Sequence, residues 1–281
     1  MSAPTAPGAA RLRRGDADRL RALLESGFGG TCEPLMHQHL LDALDRGDHS
    51  RFVVWPPADP VGVLYLGVSG SVIVAGDPGA GAALAGAAER TDWRVLLGDA
   101  ELCRALLDAS SQGFFRRRHS AREQRFMATT APAAPSRMHG LRLADAGELD
   151  RLTDFACRLH VEDRMGPPIS RAGRVAVRAR MHDSIAAGAT WVVERDGQAV
   201  GKVDVPLYSR RRGAQVAGVY VDEAWRGRGL ASQAVGALAA SLLEAGLPSV
   251  TLHVRADNTP AMRAYRRGGF TDRGPWLLAL R

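Results

Sequence analysis

Val216-Ala217-Gly218-Val219-Tyr220-Val221, Arg226-Gly227-Arg228-Gly229-Leu230-Ala231 and Asn258-x-x-Ala261-x-x-x-Tyr265-x-x-x-Gly269-Phe270 follow one another within 55 residues and carry most of the information in this chain. The first is an apolar run that reads as a strand. The second is a turn whose two glycines reach positive φ and leave the backbone open to a ligand. Leu230, Val235, Leu238, Leu242 and Leu243 then recur at helical spacing, so the turn opens a helix. Unpaired N–H groups and the helix dipole at such a start favour an anion. The guanidinium groups of Arg226 and Arg228 add charge-assisted bonds suited to phosphate. The stretch therefore predicts a cradle for a diphosphate, built from Arg226 to Ser232; a basic loop with no ligand is the alternative.

In these motifs the chain resembles the GNAT superfamily of acyl-CoA-dependent N-acyltransferases. Arg226-x-x-Gly229-x-Ala231 is similar to the family's pyrophosphate loop, and Asn258, Ala261, Tyr265 and Gly269-Phe270 to its C-terminal signature, in order and at the expected distance. The resemblance covers roughly residues 138–281. It implies an α/β (α+β) fold in which a mixed, mostly antiparallel sheet is flanked by helices, and acetyl-CoA as the acyl donor.

The remaining composition is that of a globular protein. The chain has 281 residues, 46% hydrophobic and 24% charged, enough for one large or two ordinary domains. Its formal net charge of +7 is spread along the sequence, almost wholly as arginine, with Lys202 the single lysine. The densest group, Arg116-Arg117-Arg118-His119 with Arg122 and Arg125, lacks the interleaved aromatic residues of a single-strand binder. No nucleic-acid partner is expected, and positive charge suits anionic CoA. Cys32, Cys103 and Cys157 share no metal-ligand spacing with one another or with histidine, so neither a metal nor a disulfide framework is expected. The first ten residues lack the apolar core of a secretory signal. The run from Val61 to Gly76 is too short to span a bilayer and is broken by Gly67 and Gly70, so it reads as two strands and a turn. A cytoplasmic protein without a membrane partner is expected.

Thr130 to Ser136 is a linker by composition, and the flanking segments follow one plan. Phe52-Val53-Val54 with Val61-Gly62 matches Trp191-Val192-Val193 with Val200-Gly201 in register, each pair reading as strands joined by a polar turn. Val72-Ile73-Val74 leads into Pro78-Gly79-Ala80-Gly81, parallel to the Arg226 turn but without its arginines. Laid on the shared Gly-Phe of Gly113-Phe114, Ala109 falls where Tyr265 stands. The expected organisation is a divergent GNAT-like domain over 1–129, a linker over 130–137 and an acetyl-CoA-binding GNAT domain over 138–281. The first domain is expected to be structural or to shape the acceptor site, with backbone donors for a phosphate at most; Gly79 to Gly86 is otherwise an Ala/Gly-rich helix start. The tandem pattern resembles mycothiol-synthase relatives and, more closely, acetyltransferases with a divergent N-terminal domain.

Acyl transfer to an amine needs a neutral amine, stabilisation of an oxyanion and a proton for the leaving thiolate. The resemblance implies that the strand holding Val219, Tyr220 and Val221 parts from its neighbour at a bulge, pairs with the pantetheine arm and offers an N–H to the thioester oxygen. It makes Tyr265 the general acid; packing with its hydroxyl on a backbone carbonyl is the other reading. Glu162 is the candidate base, with Asp163, Glu194, Asp204, Asp222 and Glu223 behind it. Asn258 either bonds the cofactor arm or caps a helix that begins at Pro260. His253 alternates with apolar residues and reads as a strand-face histidine. The expected function is acetyl transfer from acetyl-CoA to a primary amine of a small molecule, by direct attack in a ternary complex. A non-catalytic acyl-CoA-binding regulatory module is the alternative.

Overall fold

A computed structural model describes residues 8–110, 119–133 and 137–281. The cluster Arg116–Arg118, the Gly113-Phe114 pair and linker residues 134–136 lie outside the described residues. The chain forms two compact units. One runs up to Arg125 and also takes Arg273–Arg281; the other is Phe126–Asp272.

In the first unit, β1 (Ala10–Arg11) leads through α1 (Ala17–Glu25), the one-turn α2 (Gly27–Gly30) and α3 (Gln38–Asp45) to β2 (Phe52–Trp55), β3 (Gly62–Leu66) and β4 (Ser71–Gly76). Then come α4 (Gly81–Glu89), β5 (Val95–Asp99), α5 (Ala100–Ser110) and β6 (Ser120–Thr129). The second unit repeats the order with β7 (Leu141–Leu143), α6 (Leu149–Glu162), α7 (Arg171–Ala186), β8 (Thr190–Arg195), β9 (Gln198–Ser209) and β10 (Gly213–Val221). It continues with α8 (Leu230–Glu244), β11 (Val250–Arg255) and α9 (Thr259–Arg267); β12 (Thr271–Leu280) follows and from Arg273 on belongs to the first unit. In each unit the meander is antiparallel and the strand that follows the next helix is parallel to the meander's last strand: β5 with β4 across α4, and β11 with β10 across α8. The fold is thus two tandem GNAT-like halves, each a mixed, mostly antiparallel sheet flanked by helices.

Period-two burial builds these sheets. Phe52, Val54, Val63, Tyr65, Ile73 and Ala75 join the core under α1 and α3, while Val53, Leu64, Val72 and Val74 join the core under α4 and α5. Alternate side chains of a strand must point to opposite faces, and both faces here are covered by helices. The hairpins read from sequence are present, with Trp55 opposite Gly62 and Glu194 opposite Ala199. The sheet of the first unit ends with β12 beside β5, Trp276 facing Asp99 and Leu280 facing Val95. The Phe126–Thr129 end of β6 lies in the second unit, whose sheet places β6 beside β11. The first unit is therefore not a continuous stretch of chain, whereas the second is.

Among the described residues no helix is long and apolar enough to cross a membrane.

Candidate active site

The site lies in the second unit and begins with a defect in β10. Residues Ala214 to Val216 pair with Val250 to Leu252 of β11, and there the parallel ladder stops. On its other edge β10 slips register against β9 between Gln215 and Ala217 and again between Ala217 and Tyr220. Gly218 sits in this bulge with φ +56. A Cβ there would collide with Asp204 Oδ2 and lie 2.7 Å from Lys202 Nζ, so only glycine lets the bulge close over those two side chains. Lys202 is buried and ion-paired to Asp204, whose other oxygen accepts from Thr190 Oγ1 at 3.1 Å. The chain's single lysine thus holds a half-buried carboxylate beneath the bulge.

Beyond the bulge β10 and β11 diverge, and a cavity of about 520 Å³ opens beside them. It is lined by Val219, Tyr220 and Val221, by the loop from Arg226 to Ser232 except Arg228, and by Asn258, Ala261, Tyr265 and Glu162. Arg228 instead stacks on the Trp225 ring, its guanidinium carbon 4.6 Å from the centroid. The Tyr220 ring packs on Phe155 in the opposite core and carries the Arg226 guanidinium, 5.4 Å from its centroid. Val219 and Val221 pack on the α8 side.

Gly227 and Gly229 both adopt φ +76. Gly229 is the N-cap of α8 and no side chain caps that helix. Donors at an uncapped helix start need an outside acceptor, here water or an anion. The matching turn of the first unit differs. The Asp77 carboxylate accepts from Gly79 N at 2.6 Å, and a Cβ on Gly81 would stand 2.6 Å from Ala105 Cβ. A carboxylate and a packed helix thus stand at the turn that matches the Arg226 loop.

Tyr265 is 8% exposed and reaches the cavity from α9. Burial, then the charge of Asp163, pushes its phenol well above the ordinary value. Its hydroxyl meets no protein acceptor among the described residues, so the carbonyl-bonded alternative does not apply. Asn258 caps α9, its Oδ1 accepting from Ala261 N at 3.2 Å. Glu162 is not free: both its oxygens accept from Arg226 Nη2, at 2.7 and 2.9 Å, and Arg226 Nε donates to Val221 O at 2.9 Å. Three of the other acidic candidates are also engaged. Glu194 accepts from Arg142 at 2.7 Å, Asp222 caps the turn at Ala224 N, and Asp204 belongs to Lys202. His253 packs on Phe126 and bonds Gln215, as a strand-face residue does.

A splayed parallel pair, an uncapped glycine turn at a helix start and a phenol facing the gap meet at one cavity. Residues 157–270 match the family model described as the acetyltransferase (GNAT) family. The matched segment lies within the second unit, and the two halves share one order of elements. Among solved structures, it is similar to a GCN5-related N-acetyltransferase from Sphaerobacter thermophilus, at 20% identity and TM-score 0.62, over 99% of this chain and 96% of that one. A Drosophila protein matches at 16% identity and TM-score 0.61, over 97% and 98% of the two chains. A GNAT-family acetyltransferase from Colwellia psychrerythraea matches at 12% identity and TM-score 0.56, over 97% of each. These likenesses extend the shared fold to both halves. No curated protein matches the sequence.

Proposed function

We propose that the second unit transfers an acetyl group from acetyl-CoA to a primary amine of a small molecule, by direct attack in a ternary complex. The observation that carries this reading is the convergence of three features on one cavity: the uncapped start of α8, the unpaired edge of β10 beyond Val216, and the Tyr265 phenol. N–H groups of the Gly227 to Ser232 turn bind the diphosphate. The edge of Val219 to Val221 pairs with the pantetheine amides, and a backbone N–H there stabilises the oxyanion. Asn258 keeps its cap through Oδ1 and offers its amide N–H to the cofactor arm; Ala261 supplies close apolar contact.

Tyr265 gives its proton to the thiolate as the C–S bond breaks, and its raised pKa keeps that proton available at neutral pH. Glu162 acts as base after Arg226 leaves it for the diphosphate, which removes the guanidinium that both its oxygens now accept from. Cofactor binding and base release are thereby coupled. Thiol release from acetyl-CoA against a panel of primary amines tests the proposal. Amine-dependent release supports it; tight CoA binding with no release across the panel favours a regulatory acyl-CoA-binding module.

A further inference from the structure

The first unit brings together three side chains that sequence spacing gave no reason to connect. Cys32 and Asp99 line a cavity of about 330 Å³, and His37 lies fully buried behind them. The ligating atoms of the three residues all lie within 4.8 Å of one another. Cys32 follows the tight turn at Gly27, His37 ends the next helical turn, and Asp99 closes β5.

The histidine carries the argument. Its Nδ1 lies 2.9 Å from the Leu24 carbonyl, which can only accept, so Nδ1 bears the ring proton. In the neutral ring Nε2 is then a lone pair, buried, with no hydrogen-bond partner. It points toward Asp99 Oδ2, 3.7 Å away. A lone pair facing a carboxylate in a buried place is unfavourable, and a cation held between the two relieves it. The carboxylate is itself held, because Oδ2 accepts from Gly76 N at 2.9 Å. A backbone carbonyl fixing the tautomer and a backbone amide fixing the carboxylate are the outer supports that metal ligands require.

A Cys–His–Asp relay is a different arrangement. There the nucleophile and the acid take opposite ring nitrogens, whereas here Asp99 faces Nε2 and the backbone takes Nδ1, which leaves no nitrogen for a second partner in such a relay. We propose that Cys32 Sγ, His37 Nε2 and an Asp99 oxygen bind one borderline divalent metal ion of the Zn²⁺ type, with its fourth position open to the cavity. The mixed sulfur, nitrogen and oxygen set excludes the hard cations Mg²⁺ and Ca²⁺. Binding forms three metal–ligand bonds and releases the Cys32 thiol proton to solvent. The proposal is independent of the acetyl transfer assigned to the second unit.

The test uses the full-length protein after chelator treatment, titrated with Co²⁺ and then Zn²⁺. One equivalent of Co²⁺ with a thiolate charge-transfer band, displaced by Zn²⁺, is expected. Cys32→Ser should abolish that band and weaken Zn²⁺ by more than about 100-fold, beyond the cost of losing an outer support. Should Cys32→Ser fail to fold, alkylation of the unaltered protein, read by peptide mapping, decides. Zn²⁺ should slow labelling of Cys32 by at least about tenfold and leave Cys157 unchanged. No saturable binding, a band that survives Cys32→Ser, or equal labelling rates would overturn the assignment.

Discussion

Replacing Lys202 by methionine tests how the bulge in β10 is held open. Lys202 is 2% exposed and its partner Asp204 keeps a side-chain exposure of 22%, so the pair is buried on one side and partly solvated on the other. Removing one member of a buried pair costs about 3–5 kcal/mol, because the other charge is left uncompensated. Partial solvation of Asp204, and its remaining bond to Thr190, reduce this to about 2–3 kcal/mol. For a body of this size that is a fall in Tm of roughly 5–10 °C. Asp204→Leu should cost a similar amount, and the double variant less than the sum, with a coupling of at least about 1.5 kcal/mol.

The assay is urea unfolding of the four proteins of the cycle, with CoA affinity measured by calorimetry on each. Lys202 stands opposite Tyr220 in the strand register, so relaxation of the bulge should also weaken CoA. A loss under about 0.5 kcal/mol for Lys202→Met, or additive single effects, would refute the view that this ion pair shapes the site.

Tyr265→Phe should lower kcat more than about tenfold while leaving CoA affinity within about twofold, as steady-state kinetics and calorimetry would report. The same variant should flatten the alkaline stability profile. The folded protein holds the phenolic proton above the ordinary value near 10, the unfolded chain releases it there, and native stability therefore falls as pH rises beyond about 10. Gly229→Ala places a side chain at φ +76, costing about 1–2 kcal/mol of stability, and should weaken CoA in a titration; Asp77→Ala in the first unit should not confer a second CoA equivalent. Glu162→Gln should lower the rate with amines at neutral pH and, by releasing Arg226, leave CoA binding equal or tighter.

The glycine turn, the alternating strands and the repeat of one plan were legible in the residues because each is a local pattern. A turn needs its glycines within a few positions, and a strand shows its two faces by a period of two. Tyr265 and Asn258 were found at the cavity for the same reason, since a helix and its cap carry them there. What the sequence by itself left open depends on residues brought together across the fold. Arg226 meets Glu162 across 64 positions and so turns a candidate base into an ion-paired one. β12 belongs with the first unit although it follows the second, and Lys202 finds Asp204 under a bulge that no periodicity announces. Cys32, His37 and Asp99 have no common spacing and converge only because the turn at Gly27, the helical turn after it and the end of β5 end at the same depth. Side-chain partners of this kind are set by strand order and by the path of the chain between elements, and those are decided by packing of the whole core.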